Sequence, residues 1–305
     1  MPPVLNAFGA TAAVGKLLDL SESQMLDAIS LTLCQATCSS ELTNNSESPI
    51  RSVRDAFAAK IGVMSAQLAK RGIIGFKEPF EGSRGFYHAF ARNDCDLTKL
   101  TEKLGEVYES GNISFKPWPS CRGTHPNIDG IRRILSQQHI EPEEIVNVHL
   151  VVSAVNAKLL CEPSEVKKKP QSPINAKFSL PFTVAIALIY GNVTLDHYNE
   201  KIIKDPNVLK LAEKVTYEID PSMPKYKSLQ SITTIHTKNQ VFSQTVTEPL
   251  GSMDNPMTEE ALVEKFLNCL KYSAKEYSEA ESRELAEMIL NIDSYRNVND
   301  LIKYL

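Results

Sequence analysis

Apolar residues recur every three or four positions through most of the first seventy residues, the spacing that places them on one face of an α-helix. The pattern predicts helices over Phe8–Leu18 and Ile50–Arg71. Between them, Ser21 and Gln24 stand three residues apart, as a capping box at a helix start requires. The many Ala and Gly residues predict closely packed helix backbones. One face of the predicted 50–71 helix carries the apolar residues Val53, Phe57, Ile61, Met64 and Leu68.

Beyond residue 112 the apolar period changes to two, which is typical of half-buried strands. Strands are predicted where apolar residues alternate at Val146, Val148, Leu150 and Val152, over Val215–Ile219, and as a hairpin over Ser231–Val246. Helices are predicted over Asn127–Gln138 and Phe178–Tyr190, and again from Thr258 to the end. A Pro-containing loop is predicted over Leu160–Pro173.

This order of elements indicates an α+β, mainly helical fold, in which an α+β block is inserted into, or packed on, one helical body. The predicted domains are residues 1–112, which are helical, residues 113–250, which are α+β, and residues 251–305, whose helices return to the helical body.

Composition narrows the function classes. Apolar residues make up 42% of the 305 residues, and the formal net charge of −4 argues against a nucleic-acid partner. No apolar run approaches the roughly 20 residues of a membrane span. The N-terminus has no basic region of the signal-peptide kind, so a cytoplasmic protein is expected. The six cysteines are predicted to be reduced and mostly buried.

Reactive side chains concentrate in the segment FKPWPSCRGTHPNID, which holds Lys116, Ser120, Cys121, Arg122 and His125 within ten residues. Pro117 and Pro119 stiffen this segment, and it leads into a predicted helix whose N-terminus suits carboxylates. His125 is a candidate acid or base. The alternative is that it caps or packs the helix. Cys121 has no nameable partner that would make it a nucleophile.

Arg51 and Arg54 lie three residues apart and therefore share a helix face, where two guanidinium groups suit carboxylate binding. The alternative is an ordinary solvated helix surface. The histidines stand without a second ligand at metal-site spacing, so no metal site is predicted. No G-x-G-x-x-G, Walker A or G-x-S-x-G motif is present, which disfavours nucleotide binding and serine hydrolysis.

Six segments of the chain resemble, in order and spacing, the MmgE/PrpD family, which includes 2-methylcitrate dehydratase, cis-aconitate decarboxylase and iminodisuccinate epimerase. The resemblance runs from Phe8 to the end of the chain. The segments are AFGATAAVGKLLDL, AAKIGVMSAQLAKRG, EGSRGF, KPWPSCRGTHPNID, AKFSLPFTVAIALIYGNV and DNPMTEEALVEKF.

The resemblance implies an all-helical domain with a smaller α+β lid domain, usually in a homodimer. It also implies an active site in the cleft between them, without metal or organic cofactor. The implied chemistry is abstraction of a proton α to a carboxylate, as in 2-methylcitrate dehydration in propionate catabolism. An epimerase or isomerase on the same scaffold is an alternative, since it differs only in its product.

Carried over residue by residue, the resemblance matches His125 to the histidine of the family's K-P-x-P…H motif. Ser120 and Cys121 match the small residues beside that histidine. Arg51 stands where many members have a lysine, and Arg54 where a histidine is common. In a further departure, Phe182 replaces the tyrosine of decarboxylase-like members. Arg51, Arg54 and Lys116 are the expected carboxylate anchors, and His125 the expected acid/base.

The start of the chain departs most from the family, whose members begin with a helical segment that supplies an aspartate and a histidine. Pro3 lies where that histidine is expected, so the N-terminal part of the helical domain is expected to be lacking. The alternatives to a lyase are therefore a non-catalytic remnant, or one subunit of a split enzyme. A small carboxylate is the expected substrate. The expected partner is a second copy or a chain that supplies the missing helices.

Overall fold

A computed structural model of the chain describes residues 2–37, 39, 41, 50–223 and 229–304. It divides into two compact units, Met1–Tyr108 and Glu109–Leu305. The first unit is helical, and the second combines helices with a four-stranded sheet. The fold is therefore α+β and mainly helical, as predicted. The finer domain boundaries at residues 112 and 250 stay predictions.

The described residues of the first unit form the helices α1 to α4 and a 3-10 turn at Leu97–Leu100. The Ser21 capping box forms as predicted, because the Ser21 hydroxyl accepts from the Gln24 amide and the Gln24 side chain accepts from the Ser21 amide. The helices are α1 Pro2–Leu17, α2 Glu22–Leu33, α3 Ile50–Lys70 and α4 Phe86–Ala91.

Helices α1 and α3 pack through small residues, as the Ala and Gly content predicted. A Cβ added to Gly62 of α3 would lie 2.6 Å from the Cβ of Ala10 and 2.7 Å from the backbone nitrogen of Thr11. The Thr11 hydroxyl also lies 2.6 Å from the Thr32 hydroxyl of α2, in a buried hydrogen bond. Backbones this close exclude larger side chains from the interface.

The apolar face predicted for α3 is largely exposed. Val53, Phe57 and Met64 are 51%, 53% and 43% exposed, respectively. The buried face is instead offset by one residue and consists of Ala58, Gly62, Ser65, Ala66 and Ala69. Close backbone packing selects the small residues, so the larger apolar stripe points elsewhere.

The sheet of the second unit has the strand order β2-β1-β3-β4. Strand β1 pairs in parallel with β2 and antiparallel with β3, and β3 pairs antiparallel with β4. Val148, Leu150 and Val152 are buried as predicted, but a register shift between Ile145 and Asn147 leaves Val146 55% exposed. The strands are β1 Ile145–Val152, β2 Val215–Ile219, β3 Ser231–Thr237 and β4 Val241–Val246.

Helix α5 packs on β3 and β4, and α9 packs against α5 and α11. Helix α9 begins at the Ser179 cap and ends at Gly191, whose φ of 68° ends it in the left-handed region. The helices are α5 His125–Leu135, α6 Ala154–Asn156, α7 Ser164–Lys168, α8 Pro173–Lys177, α9 Leu180–Tyr190, α10 Glu200–Ile203, α11 Pro206–Glu213, α12 Glu259–Leu270, α13 Glu279–Leu290 and α14 Asn299–Ile302.

Two further predictions need correction. The stretch Leu160–Pro173 is not a plain loop, since a π-helical turn at Ala157–Cys161 and α7 occupy much of it. Among the described cysteines, Cys161 is buried and Cys121 is half-buried, whereas Cys34, Cys95 and Cys269 are exposed. Mostly buried thiols were therefore predicted wrongly, and Cys38 lies outside the described residues. No helix within the described ranges is long and apolar enough to cross a membrane.

Candidate active site

The segment that precedes α5 is fixed at its start by the loop before α12. The Phe115 amide donates to the Gly251 carbonyl over 3.0 Å. Gly251 has a φ of +88°, and a Cβ on it would lie 2.3 Å from the Phe115 carbonyl oxygen. Both the backbone conformation and the close approach therefore require glycine.

Trp118 forms one wall of the candidate site around His125. It is 1% exposed, and its indole Nε1 donates to the Asn192 Oδ1 over 3.0 Å. Its ring meets the His125 ring edge-on, with 5.2 Å between ring centroids and an interplanar angle of 86°. Trp118 therefore shields one side of the imidazole from water.

A chain of hydroxyl groups orders the turn between Trp118 and α5. The Thr124 hydroxyl donates to the Cys121 carbonyl over 2.8 Å and lies 2.7 Å from the Ser120 hydroxyl. Since Thr124 has one hydroxyl proton, Ser120 must be the donor in that second bond. The Cys121 amide donates to the Lys177 carbonyl over 2.9 Å. These bonds hold Ser120 and Cys121 beside the start of α5.

His125 is the first residue of α5 and is 1% exposed. Burial lowers its pKa to about 3, and the positive charges of Lys116 and Arg122 act in the same direction. The carbonyls of Trp118 and Ser120 oppose this shift only in part. The imidazole is therefore neutral at pH 7. Its buried Nε2 has no hydrogen-bond partner among the described residues, which is unusual for a buried polar atom.

Two cations flank this histidine. Lys116 is exposed, and its Nζ donates to the Ser120 carbonyl over 3.3 Å. The Arg122 Nη1 donates to the Ser114 hydroxyl over 3.0 Å. Neither cation has a carboxylate partner in the described part of the chain. Together they give the loop a positive field suited to an anionic ligand.

Tyr198, which follows α9 and is 5% exposed, was not among the predicted site residues. Burial raises its pKa to about 12, while the hydroxyls of Thr183 and Ser120 oppose the shift. Neither hydroxyl completes a hydrogen bond with the phenol, so the buried Tyr198 hydroxyl has no partner among the residues that the structure describes. Its position beside Ser120 depends on a contact across 78 positions of the chain, which no local pattern signals.

The predicted residues fall into three places. Lys116, Ser120, Cys121 and His125 lie together in one loop of the second unit. Phe182 is 0% exposed and packs in the core through α9, so its contact with a substrate stays a prediction.

Arg51 and Arg54 lie half-buried on α3 of the first unit, where the Arg54 Nε is 3.6 Å from the Asp55 carboxylate. Their convergence with the loop on one substrate stays a prediction. Among the described residues, no group of three or more His, Cys, Asp or Glu side chains could hold a metal ion.

The resemblance implied both helical and α+β parts, and the structure contains a helical unit and an α+β unit. Family models match the MmgE/PrpD N-terminal domain over residues 2–97 and the MmgE/PrpD C-terminal domain over residues 118–292. The chain therefore belongs to the MmgE/PrpD family, which confirms the resemblance.

Curated relatives of the chain carry two kinds of name. A cis-aconitate decarboxylase-like protein of Aspergillus oryzae is 22% identical over 98% of this chain and 63% of its own length. Cis-aconitate decarboxylase of Homo sapiens is 23% identical over 87% and 54%. 2-Methylcitrate dehydratase of Salmonella typhimurium is 22% identical over 81% and 53%. The chain thus spans between half and two thirds of the length of these relatives.

Proposed function

We propose that the chain carries the lid-side half of a lyase site for a small di- or tricarboxylate, with dehydration of a 2-methylcitrate-type acid as the nominal reaction. The names of the relatives support a lyase, since decarboxylases and dehydratases both cleave a bond by elimination. The positive loop around His125 supports a carboxylate substrate.

The observation that carries the proposal is the neutral, buried His125 with its unpartnered Nε2. A base whose pKa is about 3 is weak, because proton transfer is most efficient when the pKa lies near the working pH. A bound carboxylate would offset the charges of Lys116 and Arg122 and thereby raise the pKa of His125. Substrate binding itself therefore strengthens the base.

In the proposed step the Nε2 of His125 takes the proton α to a substrate carboxylate. The C–H electron pair forms the new C=C bond as the C–O bond breaks, and the departing hydroxide takes the proton back from the protonated His125 and leaves as water. Lys116, Arg51 and Arg54 bind the carboxylates, and Ser120 and Cys121 contact the substrate. The cations stabilise the negative charge that develops as the proton leaves.

The test is to replace His125 with Asn and to follow 2-methylcitrate and cis-aconitate by proton NMR in deuterated water. We expect turnover to fall by about 100-fold or more, the range of general acid–base contributions. His139→Asn is the matched control, because the His139 side chain is 89% exposed at the surface. Full activity of His125→Asn would remove the assignment.

The same experiment separates the alternative reactions on this scaffold. Loss of water gives an unsaturated acid, and loss of carbon dioxide gives a shorter acid. Deuterium exchange without a new double bond would instead identify an epimerase or isomerase.

A further inference from the structure

A cavity of about 510 Å³ lies within the second unit, bounded by the Pro117–Pro119 segment, the 192–196 loop and α12. Trp118 lines it, and the Trp118 ring also contacts His125. This cavity has no role in the proposed elimination. Its volume lies within the range of small-molecule sites.

The walls of the cavity divide into an apolar and a cationic part. Pro117, Pro119, Leu250 and Met257 are half-buried and form the apolar part. A ligand with an apolar body would complete their burial and gain the corresponding hydrophobic free energy.

The cationic part includes Arg132 and Lys265, neither of which has a carboxylate partner within the described residues. The Arg132 guanidinium carbon lies 5.8 Å from the centroid of the Trp118 ring. A carboxylate beside these groups would form charge-assisted hydrogen bonds. The cavity therefore offers an anion a site next to an apolar surface.

Two acidic residues in the lining limit the charge of the ligand. Asp196 already accepts a hydrogen bond from the Tyr272 hydroxyl, and Glu264 is exposed on α12. Their charges would repel an acid that carries two or three carboxylates more strongly than one that carries a single carboxylate. The cavity and the proposed active site thus favour different acids.

We propose that this cavity is a binding site for a small monocarboxylate with an apolar body, such as an aryl acid. The carboxylate binds Arg132 and Lys265, and the apolar body lies against Pro117, Pro119 and Leu250. Because Trp118 separates the cavity from His125, an occupied cavity would act on the active site through this ring. That consequence rests on the proposed function, whereas the binding itself does not.

Trp118 is the single tryptophan of the chain, so it reports directly on the cavity. Protein labelled with 5-fluorotryptophan gives one fluorine NMR resonance, which is titrated with benzoate. We expect a saturable shift. Benzamide has the same shape without the charge, and citrate carries three carboxylates. Each should bind more weakly than benzoate by about tenfold or more.

The double variant Arg132→Gln/Lys265→Gln should weaken benzoate binding by about tenfold or more. Lys210→Gln is the matched control, since Lys210 is exposed on α11 and lies outside the lining. The His125→Asn variant should bind benzoate as the parent does, which separates this site from the proposed active site.

Absence of a saturable shift, equal binding of benzamide or citrate, or unchanged affinity in the double variant would overturn the proposal. Loss of benzoate binding in His125→Asn would also overturn it, because the probe would then occupy the active site.

Discussion

The two units bury different kinds of side chain. In the first unit the helix interfaces consist of small and hydroxyl residues, and Ala66 and Thr11 are 0% exposed. In the second unit the core holds large apolar residues, and Trp118, Phe182 and Ile128 are at most 1% exposed. The first unit meanwhile leaves Leu17 81% exposed.

The difference shows that the large apolar residues of a helix face a core only where the neighbouring element lies far enough away to leave room for their side chains. Helices α1 and α3 approach until Gly62 meets the backbone of α1, so small residues fill the interface. In the second unit a helical layer lies on a sheet, and that spacing accommodates large side chains. Substitutions should therefore act differently in the two units.

The largest effect is expected from Phe182→Ala in the second unit. Phe182 is fully buried, so its removal leaves a cavity and should cost about 3–5 kcal/mol of unfolding free energy. Phe57→Ala in α3 of the first unit should cost about 0.5 kcal/mol or less, since Phe57 is 53% exposed. Urea denaturation followed by Trp118 fluorescence and far-UV circular dichroism measures both changes. Similar losses of unfolding free energy in the two variants would contradict the difference in buried side chains between the two units.

Much of the second unit follows from its sequence. Strand β2 has the predicted bounds, and β3 and β4 form the predicted hairpin over Ser231–Val246, because alternation and turn residues are local signals. The helix stop at Gly191 is local too. The exposure of Val146 was not predictable, since the bulge that causes it depends on pairing with β3.

The candidate site was predictable only in part. Lys116 and His125 share one segment, so their proximity follows from the chain itself. The burial of His125 and the unpartnered Tyr198 hydroxyl arise from contacts between distant segments, as the Trp118 bond to Asn192 illustrates. A single sequence carries no local signal for such contacts.

The next largest effect is expected in the pH dependence of the free energy of unfolding. It also distinguishes the two units, since His125 is buried in the second unit and His88 is exposed in the first. The folded-state pKa of His125 is about 3, below its ordinary value of 6.5. Between these two pH values the unfolded chain binds the proton more tightly than the folded protein does. The contribution of neutral His125 to the free energy of unfolding is therefore complete above pH 6.5 and is lost as the pH falls from 6.5 toward 3. From pH 7 to pH 5 the loss from His125 should be about 2 kcal/mol.

The measurement is the free energy of unfolding at pH 7 and pH 5 for the parent and for His125→Asn. Other titrating groups, including the half-buried His197, remain in both proteins, so the difference isolates His125. Equal pH dependence in the two proteins would show that the His125 pKa is not lowered.

The smallest expected effect tests the close packing of the first unit directly, through Gly62→Ala in α3. Alanine is favoured over glycine in a helix by about 1 kcal/mol. Here the added methyl would lie 2.6 Å from the Cβ of Ala10 and would force the helices apart. Overpacking of this kind costs about 1–3 kcal/mol, so the net loss of stability should be about 1 kcal/mol.

Gly9→Ala is the matched control, because a Cβ at Gly9 of α1 would meet no atom within 4 Å. With no contact to oppose the helix preference, this variant should gain about 0.5–1 kcal/mol. Hydrogen exchange of peptides from α1 and α3 measures both changes locally. Faster exchange is expected for Gly62→Ala and slower exchange for Gly9→Ala. If both variants slowed exchange, the packing of α3 against α1 would not require a small residue at position 62. The two units would then differ in amino-acid composition but not in how closely their elements pack.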